Sequence, residues 1–155
     1  SFERQKRYRL MWMDTKYEPG TVKVVAYDEQ GNVAATKEIH TAGKPHHIEL
    51  TADRTHLTAD GKALAYINVR VVDKNGNLCP NETREVRFRV TGAGSFRAAA
   101  NGNSVCLEPF HQPRMSLFRG QLTAIVQTSE EAGPIVLEAF ADGIKGAILQ
   151  VESSR

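Results

Sequence analysis

The sequence predicts an all-β protein built as a β-sandwich, and three observations lead to that prediction. Apolar residues occupy every second position from Ala65 to Val71, as in a strand with one buried face. An Asn- and Gly-rich turn at 73–77 follows, so this strand needs a partner strand and a second sheet over its apolar face. Residues 48–153 hold about seven or eight such segments and no convincing helical periodicity, the strand count of an immunoglobulin-like sandwich.

Residues 1–46 are predicted to form a small, truncated β module ahead of the sandwich. Its predicted strands are 8–13, 21–27 and 33–41, and Pro- or Gly-containing turns separate them. About three strands are too few to sustain a core of their own. The module is therefore expected to have an open strand edge and an apolar face carrying Leu10 or Trp12. An open edge favours self-association with another chain.

Residues 47–155 are predicted to form the immunoglobulin-like domain. Turn signals rich in Gly, Pro, Asn and Asp bound each of its strands. Residues 108–120 are predicted to be a long loop or a broken strand. The predicted strands are 48–57, 64–73, 85–90, 95–100, 121–128, 135–141 and 144–151.

Composition excludes several classes of function. The 155 residues are 41% hydrophobic and 25% charged, as in an ordinary soluble domain. No apolar run is long enough to cross a membrane, and no signal peptide opens the chain. The net charge of +2 is too small to imply nucleic acid. The chain lacks an initiator Met and is expected to be a fragment or a processed form.

Cysteine and histidine spacing predicts neither a metal site nor a cofactor site. Two free thiols are the preferred interpretation for Cys79 and Cys106, with a disulfide as the alternative. The chain has no zinc-type spacing of Cys or His. His46 and His47 are adjacent, and neighbouring residues on a strand face opposite sides, so we do not expect them to share a metal ion.

The acidic residues predict turn hydrogen bonds, and no catalytic residue is predicted. Glycoside hydrolysis would need two carboxylates about 5–10 Å apart, and no two of these are marked as converging. Trp12 and Tyr17 are candidate aromatic side chains for contact with a sugar, although a tryptophan in a sandwich is more often part of the core. The acids in or near turns are Asp28, Glu29, Asp60, Asp73, Glu108 and Asp142.

Two sets of motifs resemble parts of one enzyme family. Residues 8–14 (YRLMWMD), 17–21 (YEPGT), 24–27 (VVAY) and 41–45 (TAGKP) resemble the domain that follows the catalytic barrel in bacterial β-galactosidases of glycoside hydrolase family 2. A second set is similar to the immunoglobulin-like domain at the C-terminus of the same enzymes. The second set comprises residues 57–61, 65–66, 72–77, 101–102, 108–110, 118–120 and 125–127.

The resemblance implies a parent enzyme that hydrolyses terminal β-galactosides or a related β-glycoside. The family's two catalytic glutamates lie on a (β/α)₈ barrel, and no segment of this chain matches that barrel. The fragment is therefore expected to be an inactive accessory portion with a structural or subunit-contact role, whose partner is the barrel of the parent chain. Enzymes of this kind are often exported, so the resemblance implies a periplasmic or extracellular location.

Two alternatives remain open at the level of sequence. A carbohydrate-binding module would need an exposed aromatic platform or a calcium-organised polar groove. A bacterial surface adhesin is the other, because residues 73–80 are also similar to invasin-type immunoglobulin domains. A second copy of that motif would favour the adhesin, and the chain contains none.

Overall fold

The computed structural model describes residues 11–155, and their regular structure consists of β-strands. No α-helix occurs among these residues, and none of them forms a helix suited to crossing a membrane. The predicted all-β class is confirmed. The chain divides into two compact units, Ser1–Thr41 (unit 1) and Ala42–Arg155 (unit 2). This division and the boundary predicted at residue 46 both lie within residues 41–46, which belong to no strand.

The described residues form eleven strands, which are numbered in chain order. They are β1 (Thr21–Tyr27), β2 (Val33–His40), β3 (His47–Ala52), β4 (His56–Thr58), β5 (Leu64–Val72), β6 (Glu85–Gly92), β7 (Gly94–Ala100), β8 (Arg114–Ser116), β9 (Gln121–Thr128), β10 (Gly133–Phe140) and β11 (Ala147–Ser154).

In unit 1, β1 and β2 form an antiparallel hairpin whose two faces differ in chemistry. Directly opposed residues of an antiparallel pair share a face. On one face Lys23 forms an ion pair with Glu38 at 2.9 Å, and the Thr21 hydroxyl is 2.8 Å from Nδ1 of His40. Val25 also lies on this face, opposite Thr36. The register of the two strands shows which residues share the other face, which we call the apolar face of the hairpin. They are Val22, Val24, Ala26, Ala35 and Ile39, together with Lys37.

The prediction of a strand at 8–13 is wrong for residues 11–13, the part of it that the structure describes. Residues 8–10 lie outside the described residues. Met11 and Trp12 have no regular structure, and Met13 begins a turn.

Unit 2 is a sandwich of two sheets. One sheet has four strands in the order β3-β5-β9-β7, and the other has five in the order β4-β11-β10-β6-β8. Neighbours are antiparallel except β4 and β11, which are parallel. The buried hydrophobic residues form one cluster with members from both sheets, including Ile67 of β5 and Leu137 of β10. The predicted sandwich is confirmed.

Strand β5 is central because it lies between β3 and β9. The predicted alternation holds, since Ala65, Ile67, Val69 and Val71 are each at most 1% exposed whereas Tyr66 is 45% exposed. Burying one such aliphatic side chain stabilises a fold by about 1.5–3 kcal/mol. This strand therefore anchors the four-stranded sheet to the core.

The strand predicted at 48–57 is wrong, because the chain crosses there from one sheet to the other. Strand β3 belongs to the four-stranded sheet and β4 to the five-stranded sheet. At the crossing, the Asp53 carboxylate accepts a hydrogen bond of 2.8 Å from the Tyr66 backbone N–H, and the Asp53 N–H donates to the Tyr66 carbonyl at 2.9 Å. Asp53 thus ends the pairing of β3 with β5.

Other differences in unit 2 concern β8 and the last strand. The region 108–120 contains the short strand β8, so the broken-strand alternative is the correct one and the sandwich has nine strands. The last strand begins at Ala147, three residues later than predicted, because Lys145 forms a bridge with His47 before β11 starts.

Candidate functional site

Two turns of the chain share a five-residue pattern and one geometry, although the eight-residue motif at 73–80 is not repeated as a whole. Residues 28–32 (DEQGN) and 73–77 (DKNGN) both place an aspartate four residues before an asparagine. One oxygen of Asp28 accepts the backbone N–H groups of Gln30 at 3.0 Å and Asn32 at 2.7 Å. Its other oxygen accepts the Asn32 side-chain amide at 3.1 Å. The carboxylate thereby organises the whole turn.

Asp73 repeats this arrangement and adds a contact to a distant segment. Its Oδ1 accepts the N–H groups of Asn75 and Asn77, each at 2.9 Å, and its Oδ2 accepts the Asn77 amide at 3.1 Å. Oδ2 also accepts the Gly43 N–H at 2.7 Å. These bonds, above all the one from Gly43, hold the pKa of Asp73 far below its usual range. Asp73 therefore ties the start of unit 2 to the end of β5.

Three more of these acids, Asp60, Glu108 and Asp142, are also engaged by neighbouring groups. Asp60 accepts the N–H groups of Lys62 and Ala63, and these bonds lower the pKa of its carboxyl. Glu108 accepts the Ser116 N–H at 2.9 Å, and Asp142 forms an ion pair with Arg87 at 2.8 Å. The predicted turn bonds are confirmed for Asp28, Asp60 and Asp73, whereas Glu108 binds a strand and Asp142 a side chain.

The two candidate sugar-contact residues lie on the surface of unit 1. Trp12 is 63% exposed and Tyr17 is 78% exposed. The Tyr17 hydroxyl is 3.3 Å from the Thr41 hydroxyl. The expectation that Trp12 belongs to a core does not hold among the residues the structure describes. Contact of either residue with a sugar stays a prediction.

His46 and His47 are closer together than the sequence suggests. Their Nδ1 atoms are 2.9 Å apart and their rings meet edge to face. The argument from opposite strand faces is wrong here, because β3 begins at His47 and His46 precedes it. Within residues 11–155 no three His, Cys, Asp or Glu side chains come together to hold a metal ion. Both cysteines are free thiols, as preferred from the sequence.

Two shallow depressions of unit 2 lie beside the connection between β7 and β8. An open depression of about 650 Å³ forms there, and a smaller one of about 190 Å³ shares Glu108, Pro109 and Ser116 with it. Of the described residues lining the larger one, Glu108 alone carries a carboxylate. In the smaller one Glu85 accompanies Glu108, and Glu85 forms an ion pair with Arg114 at 3.4 Å. Its lining is Thr83, Asn101, Asn103, Cys106, Leu107, Glu108, Pro109, Ser116, Leu117 and Phe118.

Sequence reasoning missed the functions of Asn101, Glu108 and Gly43. Each acts through a contact with a residue that is distant along the chain or on another element, so local patterns give no sign of it. The repeated Asp-x-x-Gly-Asn pattern is a further signal, beyond their position in turns, that Asp28 and Asp73 have the same structural role.

Comparison with protein families identifies unit 2. The model of the glycoside hydrolase family 2 C-terminal domain 5 matches residues 48–150. A second model, described as a domain of unknown function (DUF4982), matches residues 1–35.

Similar proteins are much longer than this chain. Beta-galactosidase BoGH2A of Bacteroides ovatus is 44% identical over 138 residues, which cover 89% of this chain and 16% of that protein. A beta-glucuronidase of Formosa agariphila is 26% identical over 94% of this chain and 15% of its own length.

A solved structure agrees with these matches. The crystal structure of a glycosyl hydrolase family 2 member from Bacteroides cellulosilyticus superposes with a TM-score of 0.85 at 28% identity, covering 91% of this chain and 18% of that one. The chain thus spans about one sixth of the length of the curated relatives it matches. With 103 residues of unit 2 matched by the family model, counted from 48 to 150 inclusive, this chain belongs to the glycoside hydrolase family 2 C-terminal domain 5 family.

Proposed function

We propose that this chain is a non-catalytic, structural portion of a longer family 2 glycoside hydrolase that acts on β-galactosides. Its role is to pack against other parts of the parent enzyme, the catalytic barrel among them. The 44% identity to a protein named as a beta-galactosidase supports the substrate class. The use of the turn aspartates for backbone hydrogen bonds supports a structural role for this portion.

The observation that carries the proposal is the apolar face of the hairpin. Val22 is 57% exposed, Val24 is 40% exposed and Ile39 is 65% exposed. These three side chains share one face with Ala26 and Ala35. A two-stranded hairpin is marginal alone in water, and apolar residues gathered on one face mark a contact surface. In the parent, this face is covered by protein.

The named activities of the relatives support the same interpretation. One matching protein is named as a beta-galactosidase and another as a beta-glucuronidase. The matched region is therefore common to proteins with different named substrates. Such sharing is expected if this region supports the architecture of the enzyme and residues outside it decide which substrate is hydrolysed.

Ile39→Lys tests the proposal when it is placed in the full-length parent and in the isolated chain. In the parent we expect a loss of about 3 kcal/mol of stability, because a charged group replaces a buried aliphatic side chain. In the isolated chain, where Ile39 is exposed, the loss should stay within about 0.5 kcal/mol. Thermal and urea unfolding of both proteins measure the two effects.

Thr36→Lys is the matched control, because Thr36 is opposite Val25 on the other face of the same hairpin. It should leave both proteins close to their unmodified stability. An equal loss from both substitutions in the parent, or no loss from Ile39→Lys there, would contradict the packing role.

A further inference from the structure

The outermost strands on one side of the sandwich are β7 and β8. Strand β7 ends the four-stranded sheet, and β8 ends the five-stranded sheet. Outer strands carry backbone N–H and C=O groups that no sheet partner satisfies, and such groups can pair with another chain. Residues 101–113, which we call the strap, connect β7 to β8 on this side.

The hydrogen bonds of β8 define which of its backbone groups point away from the sheet. The Leu117 N–H donates to the Arg84 carbonyl at 3.0 Å, and the Phe88 N–H donates to the Pro113 carbonyl at 2.8 Å. Because hydrogen-bonded positions alternate along an antiparallel pair, the backbone groups of Ser116 point outward.

Side chains of the strap occupy both outward groups of Ser116. Glu108 accepts the Ser116 N–H at 2.9 Å. The Asn101 side-chain amide donates to the Ser116 carbonyl, also at 2.9 Å. One acceptor and one donor are thus placed where a neighbouring strand would supply a carbonyl and an N–H.

The strap also closes the edge of β7. The Ala99 N–H donates to the Phe110 carbonyl at 2.8 Å. In addition, a bulge between Phe96 and Ala98 interrupts the pairing of β7 with β9. A bulged edge with an occupied N–H is a poor template for another strand.

We propose that the strap keeps this side of the sandwich closed to strand addition, with Asn101 and Glu108 acting as substitutes for a missing neighbouring strand. The partner that it excludes is an extended segment, above all β8 of a second copy of this chain. The strap carries this role in addition to the packing role of unit 1. Its exposed side chains include Val105 at 79% and Leu107 at 95%, so an opened edge would lie beside an apolar surface.

Single substitutions in the 155-residue chain test this proposal. In Glu108→Ala, the Ser116 amide hydrogen should exchange at least about tenfold faster, the factor that corresponds to losing one hydrogen bond to a charged group. In Asn101→Ala, and in the double variant that combines Asn101→Ala with Glu108→Ala, sedimentation velocity should detect stronger concentration-dependent association than in the unmodified chain. Hydrogen exchange resolved by NMR measures the first effect.

Asn103→Ala is the matched control, because Asn103 lies in the same strap and is also half-buried, and among the described residues its side chain bonds only to the Val105 N–H, at 3.2 Å. It should change neither Ser116 exchange nor association. Glu108→Gln keeps an acceptor oxygen and should retain most of the protection, and it carries the exchange test if Glu108→Ala does not fold. Unchanged Ser116 exchange in a folded Glu108 variant, or equal association in Asn101→Ala and Asn103→Ala, would overturn the proposal.

Discussion

Asp73→Ala should lower the melting temperature of unit 2 by at least about 5 °C, because it removes several charge-assisted hydrogen bonds at once. The bond that decides the size of the effect is the one from the Gly43 N–H to Oδ2, at 2.7 Å. Without it the segment that opens unit 2 is no longer held to the turn after β5. Differential scanning calorimetry of the variant and the unmodified chain measures the shift.

Asp28→Ala provides the matched control for this substitution. Like Asp73, Asp28 accepts hydrogen bonds from the residues two and four positions later. They come from the backbone N–H groups of Gln30 and Asn32 and from the side-chain amide of Asn32. Its carboxylate bonds are all within residues 28–32, whereas Asp73 also holds Gly43. Asp28→Ala should therefore leave the unfolding transition of unit 2 unchanged. A similar shift in both variants would contradict the role assigned to the Gly43 contact.

The effect of Asp73 should also depend on pH. Its pKa in the folded chain lies well below the ordinary value of 3.8, because Gly43 and Asn77 donate hydrogen bonds to the ionised carboxylate. Such a group stabilises the fold fully above the pKa of the unfolded state, and the stabilisation is lost as the pH falls toward the folded pKa. The difference in unfolding free energy between the unmodified chain and Asp73→Ala should thus shrink below about pH 4. A difference that stays constant down to about pH 2 would contradict this account.

Gly120→Ala should destabilise unit 2 by about 3–4 kcal/mol, the sum of left-handed strain and a backbone clash. Gly120 has a φ of 77°, and a Cβ placed on it would lie 2.2 Å from the carbonyl oxygen of Cys79. Arg119, with a φ of 53°, precedes it in the two-residue turn between Phe118 and Gln121. Positive φ at both central residues is typical of a type I′ hairpin turn.

Urea unfolding of Gly143→Ala separates the clash from the strain. Gly143 has a φ of 76°, nearly that of Gly120, but a Cβ there would meet only the end of the Arg84 side chain at 3.8 Å. This variant should lose about 1 kcal/mol, the cost of left-handed backbone alone. Equal losses at the two positions would mean that the close approach of Cys79 to Gly120 is not what requires glycine there.

The strands that sequence predicted best are those whose pattern reports their own burial. In β5, alternation from Ala65 to Val71 reflects a sheet with one face in the core, and the structure buries those residues. Strands β1 and β9 have the predicted ends, because a clear turn signal bounds each of them. Local physics decides these elements, so the local sequence is sufficient.

Elements that depend on distant partners could not be predicted. The division between β3 and β4 at Asp53 depends on a bond to Tyr66 in the neighbouring strand. The closing of the β8 edge depends on Asn101 and Glu108 meeting Ser116. Such contacts have no periodicity along the chain. For the candidate functional surface, the apolar face of the hairpin, the sequence predicted only an open edge and a bare apolar face in residues 1–46. It did not identify which side chains share that face, because this depends on the register of β1 with β2.

The most direct test of the structural role is to assay the isolated 155-residue chain on a chromogenic β-galactoside, beside the full-length parent at equal molar concentration. The parent should hydrolyse the substrate, and the isolated chain should give a rate equal to that of buffer. Turnover by the isolated chain that rises in proportion to its concentration would contradict the account.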